Sequence, residues 1–434
     1  MAEFEQKKIG LGLLGLGTVG SGVVKILQSE GRAIEEKTGL KIAVRKICVR
    51  SLSKKRAASV SRSILTTRAK DVIQDPSVDI VVELMGGIHP AKDLLLQAME
   101  NGKQVVTANK ALLAEQGEEI YRQASRHSRL LGIEASVCGG IPIVQALRDG
   151  LASNNISQFL GIVNGTCNYI LSAMSQRGID FENALTEAQA KGYAESNPAL
   201  DIDGVDSAHK LAVLARLAFR SHVPFDSISV EGIRHLSAVD LGYAAELGYV
   251  VKLLAIGKKM KNGLELRVHP TLLPFDHPLA AVRDVYNAVF LHADQAGDQL
   301  FYGRGAGSLP TASAVMSDVI DISKKIATHA AYRSVEAKPF KHLPMLPIDH
   351  SISKYYLRFQ VADKPGVLGR IAQILGNHEI SILSVHQKES HSTRSVPVVI
   401  LTYEASEKNI QKALQAIDAR SDIREKTRVI RVES

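Results

Sequence analysis

Residues 10–20 read GLGLLGLGTVG and satisfy the spacing G-x-G-x-x-G twice, from Gly10 to Gly15 and again from Gly15 to Gly20. Only the second frame has the right surroundings. It follows the apolar run KIGLGLL, which reads as a buried strand, and it opens TVGSGVVKIL, whose apolar spacing is helical. In that frame Gly15 allows a tight turn and Gly17 lets the backbone approach a pyrophosphate. Gly20 lets the helix lie close on the strand, while Thr18 and Val19 sit at the helix N-terminus that faces the anion. Gly10 and Gly12 are then strand glycines beneath a close neighbour.

Working outward, KIAVRKICVR is a second strand, and DIVVELMGG, GKQVVTANK and LLGIEASV supply three more, with the helix PAKDLLLQAMENG among them. Strands alternating with helices build a parallel sheet covered on both faces. The second strand decides which dinucleotide is expected. It runs into CVRSLSKKR, where Arg50, Lys54, Lys55 and Arg56 stand in place of the acid that would bind an unmodified ribose. A 2′-phosphate matches that charge, so NADP is favoured, with NAD the alternative. A solvated basic loop would look the same.

A chain of 434 residues is too long for one ordinary core, so two or three domains are expected. From Gly139 the pattern changes to long helices mixed with the longer strands YVVKLLAIGKKM, GLELRVHPTL and NAVFLHAD, an α+β domain. The boundaries read as residues 1–134, a nucleotide-binding domain, and 135–334, a catalytic domain whose last helix, from 306, packs back on the first. Residues 335–350, with Pro339, Pro344 and Pro347, read as a linker. Residues 351–434 show a βαββαβ order and are expected to fold separately, with their first helix begun at Pro365.

Composition narrows the function classes. The net charge is +8, but the basic residues are scattered, only 5% of residues are aromatic and none is Trp, so neither a nucleic-acid face nor a base-stacking platform is expected. The charge suits small anionic ligands instead. Cys48, Cys138 and Cys167 are far apart and odd in number, which fits reduced thiols and lacks the spacing of a zinc site. No apolar run approaches the roughly 18 residues of a membrane span and no leader-like segment opens the chain, so a cytoplasmic protein is expected.

Candidate chemistry gathers at four places. Lys110, in VVTANKALLA, lies past the carboxyl end of an apolar strand, where an ammonium can polarise a carbonyl or pass a proton; a surface lysine opening a helix reads the same. In YAESNPALDIDGVDSAHK the carboxylates Glu195, Asp201, Asp203 and Asp206 crowd together, and Asp206 and Lys210 are one helical turn apart. An ordinary salt bridge fits that spacing equally well. NGTCNYIL places Gly165 and Thr166 at a strand-to-helix turn that binds a ligand or is simply capped by Asn164 or Thr166. GRGAGSLPTASAV offers a second glycine loop before a helix, and Cys138 has no sequence-near His to make it a nucleophile.

These motifs together resemble homoserine dehydrogenase: GLGTVG, VVTANKALL, EASVCGGIPI, NGTCNYIL, YAESNPALDIDGVDSAHK and GRGAGSLPTASAV follow the family's order. The last segment resembles an ACT domain, with DKPGVLGRIAQILGNHEISI the most telling stretch. The resemblance implies an α/β protein with a Rossmann-like nucleotide domain, an α+β catalytic and dimerisation domain and a ferredoxin-like ACT domain. It implies NAD(P)H-dependent reduction of L-aspartate 4-semialdehyde to L-homoserine, on the way to threonine and methionine. Lys210 would donate the proton, Lys110 would be the second ammonium, and Asp206 would orient Lys210 and the substrate. Glu195, Asp201, Gly165 and Thr166 would contact substrate, and Thr107, Lys110, Gly192 and Gly307 would join the cofactor contacts. Glu134 and the backbone oxygens of Val137, Gly139 and Ile141 would hold a monovalent cation, sodium in relatives. In the ACT segment Asp363, Gly366 and Asn377 match effector positions, threonine being the effector implied. A homodimer or homotetramer is expected, since ACT segments pair edge to edge.

Overall fold

The computed structural model describes residues 8–54, 57–328, 340–388 and 395–433. The chain forms two compact units, Met1–Phe159 with His209–Asp226 and Tyr286–Leu343, and Leu160–Ala208 with Ser227–Val285 and Pro344–Ser434.

The first unit is built on a six-stranded sheet of β1 (Lys8–Leu14), β2 (Lys41–Cys48), β3 (Leu65–Thr66), β4 (Ile80–Glu83), β5 (Gln104–Thr107) and β6 (Leu131–Gly132). Its order is β3-β2-β1-β4-β5-β6 and every pairing is parallel, so the switch point of the doubly wound sheet falls between β1 and β4. The expected βαβ start is present, with the helix Thr18–Thr38 following β1. Ile9, Leu11 and Leu13 of β1 share one core with Val23 and Val24 of that helix and with Val315 and Val319 of the helix Ser308–Ala327. Each such aliphatic side chain contributes roughly 1.5–3 kcal/mol by burial. The strand read in LLGIEASV is shorter than expected, because pairing ends at Gly132 and a 3₁₀ turn covers Glu134–Ser136. Two partners pull the chain out of the sheet there: the Glu134 amide donates to Asp318 Oδ2 at 2.8 Å, and the Glu134 carboxylate accepts from the amides of Val144 and Gln145.

Further strands are β7 (Ile156–Ile162), β8 (Ser229–Val230), β9 (Tyr249–Met260), β10 (Gly263–Pro274) and the hairpin β11 (Tyr286–Ala293) with β12 (Gly297–Arg304). The last segment adds β13 (Ile352–Val361), β14 (Ile382–Gln387), β15 (Val396–Thr402), β16 (Ala405–Ser406) and β17 (Ile423–Val432). With helices Val367–Asn377 and Glu407–Asp418 these give the expected βαββαβ order. The residues between β14 and β15, within SHSTRS, lie largely outside the described residues. The first helix begins two residues later than expected, at Val367, because Gly366 takes a left-handed conformation (φ 85°) as its cap.

The terminal segment has a core of its own, with Tyr355, Leu357, Phe359, Ile371, Ile400 and Ile417 among its members. In the second unit the strands run β9-β10-β17-β13-β15-β14, so its sheet also continues that of β9 and β10. The junction is parallel, Thr271 opposite Arg431 and Leu272 opposite Val432. Charged side chains that water would otherwise hold are buried across it. Arg267, 1% exposed, donates to Glu433 and to Ser351 Oγ (2.8 Å), and Arg358 is paired with Asp240 at 2.6 Å. A buried guanidinium is tolerable only with such partners, so the two parts hold each other in register. The supposed linker also contributes, for Leu264 and Pro344 exchange a backbone bond of 2.8 Å.

Candidate active site

At the carboxyl ends of β1, β2 and β4 lies a cavity of about 730 Å³, lined by Gly15, Gly17, Thr18, Arg50 and Lys54 among others. The second glycine frame is therefore the working one. Gly15 has φ 112°, closed to side-chain-bearing residues, and a Cβ on Gly20 would sit 2.5 Å from the Gly15 carbonyl oxygen. Gly17 faces open space, as a backbone approaching a phosphate must, whereas a Cβ on Gly12 would strike Val72. Val19 packs into the core rather than the cavity, leaving the amides of the first turn to face it. Among the described residues the lining of the cavity contains no Asp or Glu, and Arg50 and Lys54 are exposed on its rim. Lys55 and Arg56 lie outside the described residues.

A second helix end joins the first. Gly307 (φ 126°) caps Ser308–Ala327, and the Ser308 hydroxyl donates to the Thr18 carbonyl at 2.8 Å. A Cβ on Gly22 would come within 2.6 Å of the Ser308 carbonyl, so only glycine lets the two helices touch here. On β4 and β5 a buried group that sequence reasoning missed sets the loop geometry. Glu83, fully buried, accepts from Met85 N (2.6 Å), Gly86 N (3.2 Å) and the Thr107 hydroxyl (2.6 Å). Thr107 in turn accepts from the amide of Asn109, which caps the helix Lys110–Arg126 through Leu112 N. Lys110 is thus the first residue of that helix, half-buried, and its placement rests on the Glu83–Thr107–Asn109 chain. A carboxylate ending an apolar strand was visible in DIVVELMGG, but nothing local said that it turns inward.

Lys210, 9% exposed, belongs to the helix Val205–Phe219. The helix is fastened to the one begun by Lys110, and Arg216 also lies over the Tyr121 ring there. Arg216 donates to the Leu113 carbonyl at 2.6 Å, and His209 Nε2 lies 3.2 Å from Glu115 Oε1.

In the second unit, the helix Gly165–Arg177 follows β7 and is capped by Asn164, whose Oδ1 accepts from Cys167 N at 2.8 Å. The plain capping reading is correct, and the other end of the same side chain does more. Asn164 Nδ2 donates to Asp201 Oδ1 at 2.7 Å and to Asp206 Oδ2 at 2.8 Å, holding two carboxylates together. Asp206 is 4% exposed, and it lies one turn before Lys210 on its helix. Thr166 donates to the Tyr193 carbonyl at 2.6 Å, and Gly165 packs where a Cβ would meet the Val285 carbonyl. Glu195 and Gly192 are exposed, Gly192 in a left-handed turn (φ 73°). Asp203 leaves the group, since it is paired with Arg234.

Glu134 is 2% exposed and accepts from Val144 N (2.9 Å) and Gln145 N (2.7 Å). Burial raises its pKa in spite of those two donors, and burial pushes Asp318 beside it up to about 7. The following turn brings Cys138 (φ 55°) and Gly139 (φ 45°) into the left-handed region, where a Cβ on Gly139 would strike the Gly305 carbonyl. Cys138 is 1% exposed. Among the effector positions, Asp363 and Gly366 lie at the start of the helix Val367–Asn377 and Asn377 at its end. At 1.5 Å per residue that separation is about 15 Å, so one copy of the segment does not bring the three together.

Comparison with known proteins adds the following. Residues 15–133 match the model described as homoserine dehydrogenase, NAD binding domain, residues 142–320 the homoserine dehydrogenase model, and residues 355–422 the ACT domain. A homoserine dehydrogenase of Synechocystis is 45% identical over 98% of this chain and its own full length, and one of Neisseria gonorrhoeae is 43% identical over 99% of both. The chain belongs to the homoserine dehydrogenase family. The crystal structure of a homoserine dehydrogenase from Thiobacillus denitrificans superposes with a TM-score of 0.93 at 42% identity, covering 99% of this chain and all of that one. A hyperthermophilic archaeal homoserine dehydrogenase in complex with NADPH matches 73% of this chain and 98% of its own, with a TM-score of 0.63 at 26% identity. The chain is accordingly an NAD(P)-dependent oxidoreductase with a C-terminal ACT domain. Among its described residues no helix is long and apolar enough to cross a membrane.

Proposed function

We propose that the chain interconverts L-aspartate 4-semialdehyde and L-homoserine with NADP(H), Lys210 being the proton donor. The observation that carries this is a buried carboxylate and a buried ammonium one turn apart on one helix, Asp206 at 4% and Lys210 at 9% exposure, with Asn164 fixing the carboxylate. The reduced nicotinamide supplies the hydride to the aldehyde carbon when bound. The developing alkoxide then takes its proton from Lys210 Nζ, and the Lys110 ammonium offsets the remaining negative charge. Asp206, Asp201 and Glu195 provide carboxylates for the substrate ammonium, Gly165 and Thr166 shape the turn beside them, and Gly192, Thr107 and Gly307 complete the cofactor contacts. Arg50 and Lys54, on a cavity rim without acids, support NADP over NAD, in keeping with the archaeal relative solved with NADPH.

The Glu134 turn fits a monovalent cation of the sodium kind: a buried carboxylate whose pKa burial has raised is short of positive charge, and the carbonyls of Val137, Gly139 and Ile141 are hard oxygen donors on the same turn. Its role would be to hold the turn. The ACT segment would regulate, with threonine as effector at Asp363 and Gly366, and Asn377 supplied by a second copy. Association through β14 suits this, since β14 is the outermost strand of its sheet and leaves Leu383 and Val385 about 40% exposed.

The test is NADPH oxidation by the purified protein with aspartate semialdehyde, repeated with NADH and with threonine. Turnover with NADPH preferred is expected, and Lys210→Ala should lower kcat by about 10²–10⁴. Turnover absent with both cofactors would refute the activity, and a loss under about tenfold in Lys210→Ala would refute the proton donor.

A further inference from the structure

Arg216, 1% exposed, stands on the helix Val205–Phe219 six residues after Lys210. Its Nη1 donates to the Leu113 carbonyl at 2.6 Å, and its guanidinium lies 5.5 Å from the centre of the Tyr121 ring. Both partners belong to the helix Lys110–Arg126. Among the described residues no carboxylate is paired with it, and its Nε is buried without a hydrogen-bond partner. Acids are nevertheless at hand, because Arg216 borders a cavity of about 650 Å³ whose lining includes Glu115, Glu118, Glu119 and Asp226. A guanidinium withdrawn from water and from its counterions is costly, and an apolar side chain of similar length would be the more stable choice. Stability therefore does not account for it.

What holds the side chain there is a slot in the facing helix. Gly117 stands in the middle of Lys110–Arg126, a position where glycine is the poorest helix former after proline. A Cβ on it would sit 2.1 Å from Arg216 Nη1 and 3.0 Å from Cζ, so only glycine admits the guanidinium. The slot and the Leu113 carbonyl fix Arg216 along the facing helix, and the Tyr121 ring fixes it across. Leu113 lies one turn from Lys110, about 4.5 Å along the axis, and Arg216 about 9 Å from Lys210. The other link between the helices, His209 to Glu115, is the weaker one, for the Glu115 side chain is 35% exposed and the pair is open to screening. The register of the two helices, and with it the separation of the two ammonium groups, rests on Arg216.

We propose that Arg216 is a positioning residue for the proton transfer: seated against Gly117, it sets the register of the helix that bears Lys210 against the helix begun by Lys110. It acts through Lys210, and the role rests on the activity proposed above. A displacement of about 1 Å in a group that must meet the developing alkoxide costs up to about a hundredfold in rate. Nucleotide binding at the ends of β1, β2 and β4 does not draw on this register, so the effect belongs in kcat and not in KM for NADPH.

The experiment measures kcat and KM by NADPH oxidation, and the melting temperature, for the full chain and for Arg216→Met, Gly117→Ala, the two together, and Arg216→Met combined with Lys210→Ala. Arg216→Met should stay within about 3 °C of the parent in melting temperature, lose about tenfold to a hundredfold in kcat and keep KM for NADPH within about twofold. Gly117→Ala, which drives the guanidinium out towards Glu118 and Glu119, should lower kcat similarly. The double variant should lie within about twofold of Arg216→Met, because the slot then has nothing to exclude. In the Lys210→Ala background Arg216→Met should remove less than about twofold more, since the group it positions is gone. An Arg216→Met variant that keeps kcat within about twofold of the parent, or that fails to fold, would overturn the role, as a merely structural side chain gives either result. Losses that multiply in full in the Lys210→Ala background would overturn it too. A parent without turnover would overturn the activity itself, and that is read before any variant is compared.

Discussion

Replacing Asn164 by Ala removes three hydrogen bonds from one side chain: the cap on Cys167 N and the two donations to Asp201 and Asp206. Loss of an N-cap costs about 1 kcal/mol. Asp206, 4% exposed, also loses a donor to its charge, for which about 1.5–3 kcal/mol is typical. The bonds share one residue and do not simply add, so about 3 kcal/mol is expected. Urea unfolding followed by far-UV circular dichroism measures it. Asn164→Asp separates the contributions, because it keeps the capping acceptor but places a third carboxylate against the other two. A carboxylate whose pKa is raised in the folded state costs stability above its unfolded value and costs nothing below it. Asn164→Asp should therefore be the less stable variant at neutral pH and recover as pH falls towards about 4. An Asn164→Ala variant within about 0.5 kcal/mol of the parent, the range of a neutral surface change, would show that the bridge holds nothing.

Three further outcomes follow from described geometry. Arg50→Ala with Lys54→Ala should raise KM for NADPH by about tenfold, the worth of a charge-assisted phosphate contact, and leave KM for NADH nearly unchanged; equal losses would remove the 2′-phosphate assignment. Lys252, 2% exposed and bonded to Asn168 and the Val282 carbonyl, is held down to about 8 by burial and then by Arg283. Its folded pKa is depressed, so the unfolded chain binds more protons between about 8 and 10.5, and stability attributable to this group rises with pH across that window by up to about 3 kcal/mol. Lys252→Met should flatten that rise in pH-dependent denaturation, and an unchanged slope would refute it. Arg431→Met should cost about 3–5 kcal/mol in chemical denaturation, because Glu407, 2% exposed, would keep its charge without its main partner; a loss under about 1 kcal/mol would contradict the buried pair.

The nucleotide half was legible because its information is local. Gly15 and Gly20 stand where they do for steric reasons that five residues of context display, and the βαβ alternation fixes a parallel sheet. The carboxylates were legible as residue types, and Asp206 with Lys210 as a helical pair, but their fastening was not. Asn164 reads as a cap, which it is, and its second function depends on a meeting with residues 37 and 42 positions later. Glu83 and Arg216 were missed for the same reason: inward turning of a charge is decided by a partner remote in sequence. The attachment of the terminal segment to β10 was not legible, because one short parallel pairing, at Thr271 and Leu272, joins segments whose local patterns each look self-sufficient.

The core that supports the nucleotide cavity is discontinuous, since Val315 and Val319 pack with Ile9 and Val23 across some three hundred residues of chain. During synthesis the glycine turn is made early, but the helix that buries the back of Thr18–Thr38 leaves the ribosome only after all the residues before Ser308. Until then an apolar face of the nascent sheet has no cover, and contacts of this separation close slowly. A fragment ending near residue 134 would carry every glycine of the motif and still be an incomplete binding domain. Excision, fusion or exchange of the nucleotide-binding part therefore has to take the Ser308–Ala327 helix with it.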